Sequence, residues 1–168
     1  SYPVHNVKKI PDYFFLYRSS SWGWGTWKDK WAKADWDIKD FDTLKRDKFC
    51  LDKFSRGGDD LFPMLLSYKS GLNQSWGIRW AYTHAKYDGV CLYPAKSKVF
   101  NIGADASGTH FTSKTNKFDV ALDEGECEFN LPSEVVINEE INQSVKRFFS
   151  PGLHKKVLNY FKFRKILK

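Results

Sequence analysis

Five of the seven tryptophans in this chain fall between Trp22 and Trp36, and the other two, Trp76 and Trp80, stand four residues apart. Indoles are the bulkiest side chains a fold has to place. Their distribution therefore restricts this chain more than any other feature: either an unusually bulky core takes them in, or their flat faces stack on a ligand. In Trp22-Gly23-Trp24-Gly25-Thr26-Trp27 the two glycines let the backbone bend tightly while large faces flank the opening. Thr26 is placed to cap a helix predicted from Trp27 to about Lys33, whose Trp27 and Trp31 share one face. Packing into a core is the expected use of that face.

The second tryptophan pair sits in Ser75-Trp76-Gly77-Ile78-Arg79-Trp80-Ala81-Tyr82. A helix begun by Asn73 or Ser75 stacks both indoles on one side, with Arg79 beside them. Val90 to Leu92 reads as a short strand that Pro94 ends. The loop Asn101-Ile102-Gly103-Ala104-Asp105-Ala106-Ser107-Gly108-Thr109-His110 follows. Gly103 and Gly108 admit backbone conformations closed to other residues, and Ser107, Thr109 and His110 supply hydroxyls and an imidazole. Such a loop can close around a polar ligand, a phosphate or a metal. Taken singly these residues argue for little, since a tryptophan pair at helical spacing is more often core, and a loop histidine is as often a structural hydrogen-bonder. Together they have the layout of a site, with Trp22, Trp76 and His110 expected to converge on one cleft.

Elsewhere the pattern is plainer. Residues 1–13 read as an extended entry, Tyr13 to Tyr17 as an aromatic strand, and 35–56 as one or two short amphipathic helices. Gly57-Gly58-Asp59-Asp60 is a turn into a helix from Leu61 to about Tyr68, where the aspartates either cap the helix or form a carboxylate pair for metal binding or general-base chemistry. Residues 111–130 suggest a hairpin through Phe111, Phe118, Val120 and Leu122. Residues 132–143 read as acidic and irregular. Ser150-Pro151 opens a helix through Lys168 in which Leu153, Val157, Leu158, Phe161, Ile166 and Leu167 alternate with lysines.

The net charge of +7 resembles a nucleic-acid signal until it is mapped. Residues 142–168 carry eight Lys/Arg and no acid, leaving 19 bases against 20 acids in the body. A neutral body offers no basic groove, which argues against nucleic acid as partner. A basic amphipathic tail can instead lie on an anionic bilayer, pack on a partner or remain solvated. Cys50, Cys91 and Cys127 are odd in number and lack metal-ligand spacing, so they read as reduced, buried thiols. With no apolar run near 18 residues, the expectation is a cytoplasmic chain, peripheral at the inner face of the membrane.

Three blocks in fixed order resemble a family of bacterial glycosyltransferases grouped with family 2 and having the GT-A fold: Ser20 through Trp31, Gly57-Gly58-Asp59-Asp60-Leu61 with Met64-Leu65, and Ser75 through Trp80, continuing by Tyr93-Pro94 to Asn101-Ile102-Gly103 and Ser107-Gly108-Thr109-His110. A more distant likeness runs to the eukaryotic N-acetylglucosaminyltransferases that begin complex N-glycan formation. The resemblance implies an inverting transferase that moves a sugar from a nucleotide-diphosphate donor to an acceptor hydroxyl, in polysaccharide or glycoprotein biosynthesis, with Mn²⁺ or Mg²⁺. The alternative is a non-catalytic carbohydrate-binding or scaffold module.

By the same resemblance, Trp22, Gly23, Trp24, Trp76, Arg79, Trp80, Ser107, Gly108 and Thr109 bind substrate and His110 holds the metal or the leaving diphosphate. The family's acidic residue before Ser-Trp, its general base, is Gln74 here, so either Asp59 or Asp60 is expected to substitute, or turnover to be weak or absent. The family's nucleotide-binding half would precede the first block. The expected fold is thus α/β, or α+β for this portion: the C-terminal, acceptor-side half of a GT-A fold (1–130) with a short mixed sheet and flanking helices, a linker (131–149), and a basic amphipathic helix (150–168).

Overall fold

A computed structural model describes residues 4, 7–100, 118, 120–123, 125 and 131–167. The hairpin expected over 111–130 lies almost wholly outside the described residues, as do Cys127 and the glycine loop from Asn101 to His110.

The aromatic strand forms as β1, Tyr13–Leu16, with inward Phe14 and Leu16 alternating with half-buried Tyr13 and Phe15. It pairs antiparallel with β2, Cys91–Pro94, in a register that sets Tyr13 against Pro94 and Leu16 against Cys91. The described sheet is antiparallel where a mixed one is expected, and isolated parallel bridges beyond that pairing join Phe15 to Ile137 and Ser97 to Leu122. Among the described residues the sheet has these two strands.

Helices make up the rest, so the class is α+β. After α1 (Lys28–Trp31) come α2 (Phe41–Arg46) and α3 (Lys48–Phe54), the two short helices expected over the charged stretch. Asp47 starts α3 by accepting the backbone N–H groups of Phe49 and Cys50. A 3₁₀ turn, Ser55–Gly57, leads to α4 (Leu61–Lys69), and Ser75 opens α5 (Trp76–Lys86) by accepting from the Ile78 N–H at 3.3 Å.

The stretch read as irregular and as a linker instead holds α6, Glu139–Phe149. Asn138 caps it, Glu139 and Glu140 complement the positive end of its dipole, and Ile141 and Val145 sit one turn apart on its buried face. Burying each stabilises by roughly 1.5–3 kcal/mol, enough to fold a helix whose acidic start conceals its apolar stripe. α7, Leu153–Leu167, is the expected basic terminal helix.

Two cores result. Ile38, Phe41, Leu44, Phe54, Leu65, Ile78 and Phe163 belong to the larger, where α2, α3, α4, α5 and α7 meet. Phe14, Leu16, Tyr93, Ile141 and Val145 form the smaller one, between the strands and α6. Arg18, 7% exposed, lies between them. Its guanidinium donates to the Gly57 carbonyl at 3.1 Å, pairs with Asp60, and stands 3.5 Å over the Phe149 ring. No described helix is long and apolar enough to cross a membrane.

Candidate functional site: an indole-walled cavity

The tryptophans far apart in sequence come together. Trp24 stacks on Trp76 at 5.4 Å and lies 5.9 Å from Trp80, while Trp31 touches Trp36 at 4.5 Å and Trp80 at 5.1 Å. The core use expected for the Trp27/Trp31 face fails, because α1 buries no residue and Trp27 is 74% exposed. Trp27 ends up as the N-cap residue of α1 in place of Thr26, so its indole leaves at the rim while Trp31 returns to the cluster.

A cavity of about 290 Å³ opens here, walled by Trp22, Gly23, Trp24, Trp27, Trp80 and His84, and on its far side by Cys91 to Pro94, Val99 and Phe118. Trp22 meets Phe118 edge-on at 5.4 Å. Gly23 has φ of 52° and a Cβ there would overlap the Val99 side chain, so glycine is required twice over. A second hollow of about 230 Å³ adjoins the first across Trp22 and Trp80, and Trp76 and Gly77 at the start of α5 border it together with Ser19, Ser20 and Met64. Trp22 and Trp76 thus share a hollow, as expected. Ser107, Gly108, Thr109 and His110 lie outside the described residues.

Three expected roles do not match the geometry. Arg79 turns away from both hollows: Nε donates to the Ser75 carbonyl and Nη1 to the Trp36 carbonyl, each at 3.3 Å, and the guanidinium lies 4.9 Å over the Tyr68 ring. Its four-residue offset from Ser75 places it a quarter-turn off the indole stripe, where it braces α5 against the Trp36 loop. Asp60 occupies the N-cap position of α4 but its side chain makes no cap hydrogen bond, because its carboxylate is engaged fork to fork by Arg18. Asp59 accepts from the Ser150 hydroxyl at 3.1 Å and pairs with Lys146 at 3.3 Å and Lys156 at 3.4 Å. Burial acts to raise the Asp59 carboxyl, but these donors outweigh it and hold it below the ordinary carboxylate value. Asp59 therefore ties the start of α4 to α6 and α7, and Asp60 ties it to the end of β1. Gln74 is exposed and directly precedes the capping Ser75.

His84 is the wall residue that the sequence reading passed over. Its ring stands edge-on to Trp80 at 4.8 Å, Nδ1 lies 3.7 Å from the Cys91 thiol, and buried Nε2 has no hydrogen-bond partner among the described residues. Burial lowers its pKa, with the Gly89 backbone opposing, so the imidazole is neutral at pH 7. Burial also pushes the Cys91 thiol up to about 12, which leaves it protonated and poorly nucleophilic. The spacing Trp76, Trp80, His84 was a legible signal, since three residues at four-residue intervals line one helix face.

Among the described residues no three His, Cys, Asp or Glu side chains cluster in a way that could hold a metal ion, and the two adjacent aspartates are already neutralised by cations. Chemically the arrangement offers flat apolar faces, one neutral imidazole and a few hydroxyls, a combination suited to a ligand with both C–H faces and hydroxyl groups. The fold and site together define an α+β protein with an aromatic-walled cavity. Comparisons with family models, curated proteins and solved structures give no match.

Proposed function

We propose that the cavity binds a saccharide and that the chain is the acceptor-side part of a GT-A glycosyltransferase, moving a sugar from a nucleotide-diphosphate donor to an acceptor hydroxyl. One observation carries the saccharide reading: Trp22, Trp24, Trp27 and Trp80 wall a single cavity, with Trp76 stacked behind them. Pyranose rings present C–H faces that pack on indoles, and their hydroxyls match the His84 imidazole and the hydroxyls of Ser19 and Ser20. The transferase reading adds the three-block resemblance. In that reaction the acceptor oxygen bonds to the anomeric carbon, the bond to the diphosphate oxygen breaks with inversion, and the hydroxyl proton passes to a base. The chain's own contribution is to orient the acceptor and exclude water from it. Mn²⁺ or Mg²⁺ would serve the diphosphate, through groups other than the described residues.

The second reading, a carbohydrate-binding or scaffold module without chemistry, is favoured by the ion pairs that occupy Asp59 and Asp60 and by the amide at Gln74. Calorimetry with a panel of oligosaccharides tests what the readings share. Saturable binding accompanied by tryptophan fluorescence change is expected, and no binding to any glycan, with or without nucleotide sugar, rejects both. Gln74→Asp, tested with the nucleotide-binding half restored, separates them: release of nucleoside diphosphate from a sugar nucleotide with Mn²⁺ and acceptor supports the transferase, and glycan binding with no release in either form supports the module.

A further inference from the structure

We propose that the outward face of α7 is a docking surface for an anionic lipid bilayer, on which the helix lies in the plane of the headgroups. The helix is already anchored along one side, where Phe163 is 3% exposed, Ile166 and Leu167 join the larger core, and Lys45 donates to the Ile166 carbonyl at 3.0 Å. On the other side Leu153 is 80% exposed, Val157 46%, Leu158 53% and Phe161 60%. A solvated terminal helix has no use for four large apolar side chains on its outer face.

Charge selects the occupant. Lys155, Lys162, Arg164 and Lys165 are exposed on the same helix, and residues 142–168 contain no acid to oppose them. Their long stems can lie along apolar surface while the charged ends reach lipid phosphates. Tyr160, Phe161, Arg164 and Leu167 also border an open groove of about 530 Å³, where an arginine meets apolar side chains as it would at a headgroup boundary. A nucleic acid would use the cations and leave the aliphatic side chains unmatched. A second copy would bring cation against cation. The helix is too short and too charged to cross the bilayer. This inference does not rest on the saccharide reading.

Flotation of the chain with phosphatidylcholine vesicles, with and without about 30% phosphatidylglycerol, tests it. The chain should float with the anionic vesicles, stay behind with neutral ones, and be released by high salt. Val157→Asp/Phe161→Asp and Arg164→Glu/Lys165→Glu should each lower partitioning by more than about tenfold, with unchanged circular dichroism and tryptophan emission because both leave Phe163 in place. Absence of flotation, equal partitioning into neutral vesicles, or unaltered partitioning of both folded variants overturns the proposal. So does a dimer in solution that Val157→Asp/Phe161→Asp dissolves while flotation is unaffected.

Discussion

Arg18 and Asp60 meet fork to fork, with Nη1 2.8 Å from Oδ1 and Nη2 2.9 Å from Oδ2. The pair joins the end of β1 to the start of α4, and the Tyr93 hydroxyl donates to the Arg18 carbonyl at 2.9 Å, adding β2 to the joint. Such a two-bond pair is geometrically demanding as well as strong. Its position explains why the Gly57-Gly58-Asp59-Asp60 turn carries an acid at its end even though that acid makes no cap hydrogen bond.

Removing one partner strands the other. Asp60→Asn should destabilise the fold by about 3 kcal/mol, measured as a lowered urea midpoint, because the 7% exposed Arg18 keeps its charge without its counterion. Glycan affinity of the folded fraction should be unchanged. A variant that folds normally but loses activity in a transferase assay would restore Asp60 as a candidate base.

The tryptophans divide by exposure. Trp27→Ala, at a site 74% exposed, should cost less than about 0.5 kcal/mol of stability yet weaken glycan binding about tenfold. Trp80→Ala, at a site 4% exposed, should cost about 3–5 kcal/mol. Paired thermal unfolding and calorimetry would show the two effects moving independently.

Gly23→Ala combines a left-handed φ of 52° with an overlap on Val99. The loss should reach about 2 kcal/mol, and binding should fall with it because Gly23 and Val99 both wall the cavity. Gly25 is a control: a Cβ there meets nothing within 4 Å, so Gly25→Ala should be nearly silent.

Acid should loosen the α6–α7 junction through Asp59. Its carboxyl is held below the ordinary value, so the stability it contributes is present above about pH 4 and is lost as pH falls through the lower folded value. The gap in urea midpoint between the wild type and Asp59→Asn should therefore be open at pH 7 and close below about pH 4. With the side chain 32% exposed, the stability difference behind that gap should stay below about 1 kcal/mol.

His84 titrates with its own sign. Its folded pKa is lowered by burial, so stability is full above about pH 6.5 and declines as pH drops below that toward the folded value. His84→Gln should remove this decline, read as a flat unfolding midpoint between about pH 7 and 5.

Local pattern was enough for elements whose signals lie within a few residues. The aromatic run marked Tyr13–Leu16, Pro94 ended its partner, and of Asn73 and Ser75, the two candidate starts, Ser75 opens α5. The indole spacing likewise singled out Trp22, Trp24, Trp76 and Trp80, which line the two hollows. α6 escaped because its acidic first turn and its apolar stripe look like separate segments until β1 supplies the surface that buries Ile141 and Val145. Arg79 and the two aspartates escaped for a related reason. A cation or carboxylate carries the same chemistry in a site or in a brace, and the partner that decides between them is 43 residues away for Arg79 and 42 for Asp60. Side-chain type and period are local properties, legible from the chain alone. Which charge neutralises which, and which indole faces the cavity, depends on long-range packing, and only the tertiary structure decided it.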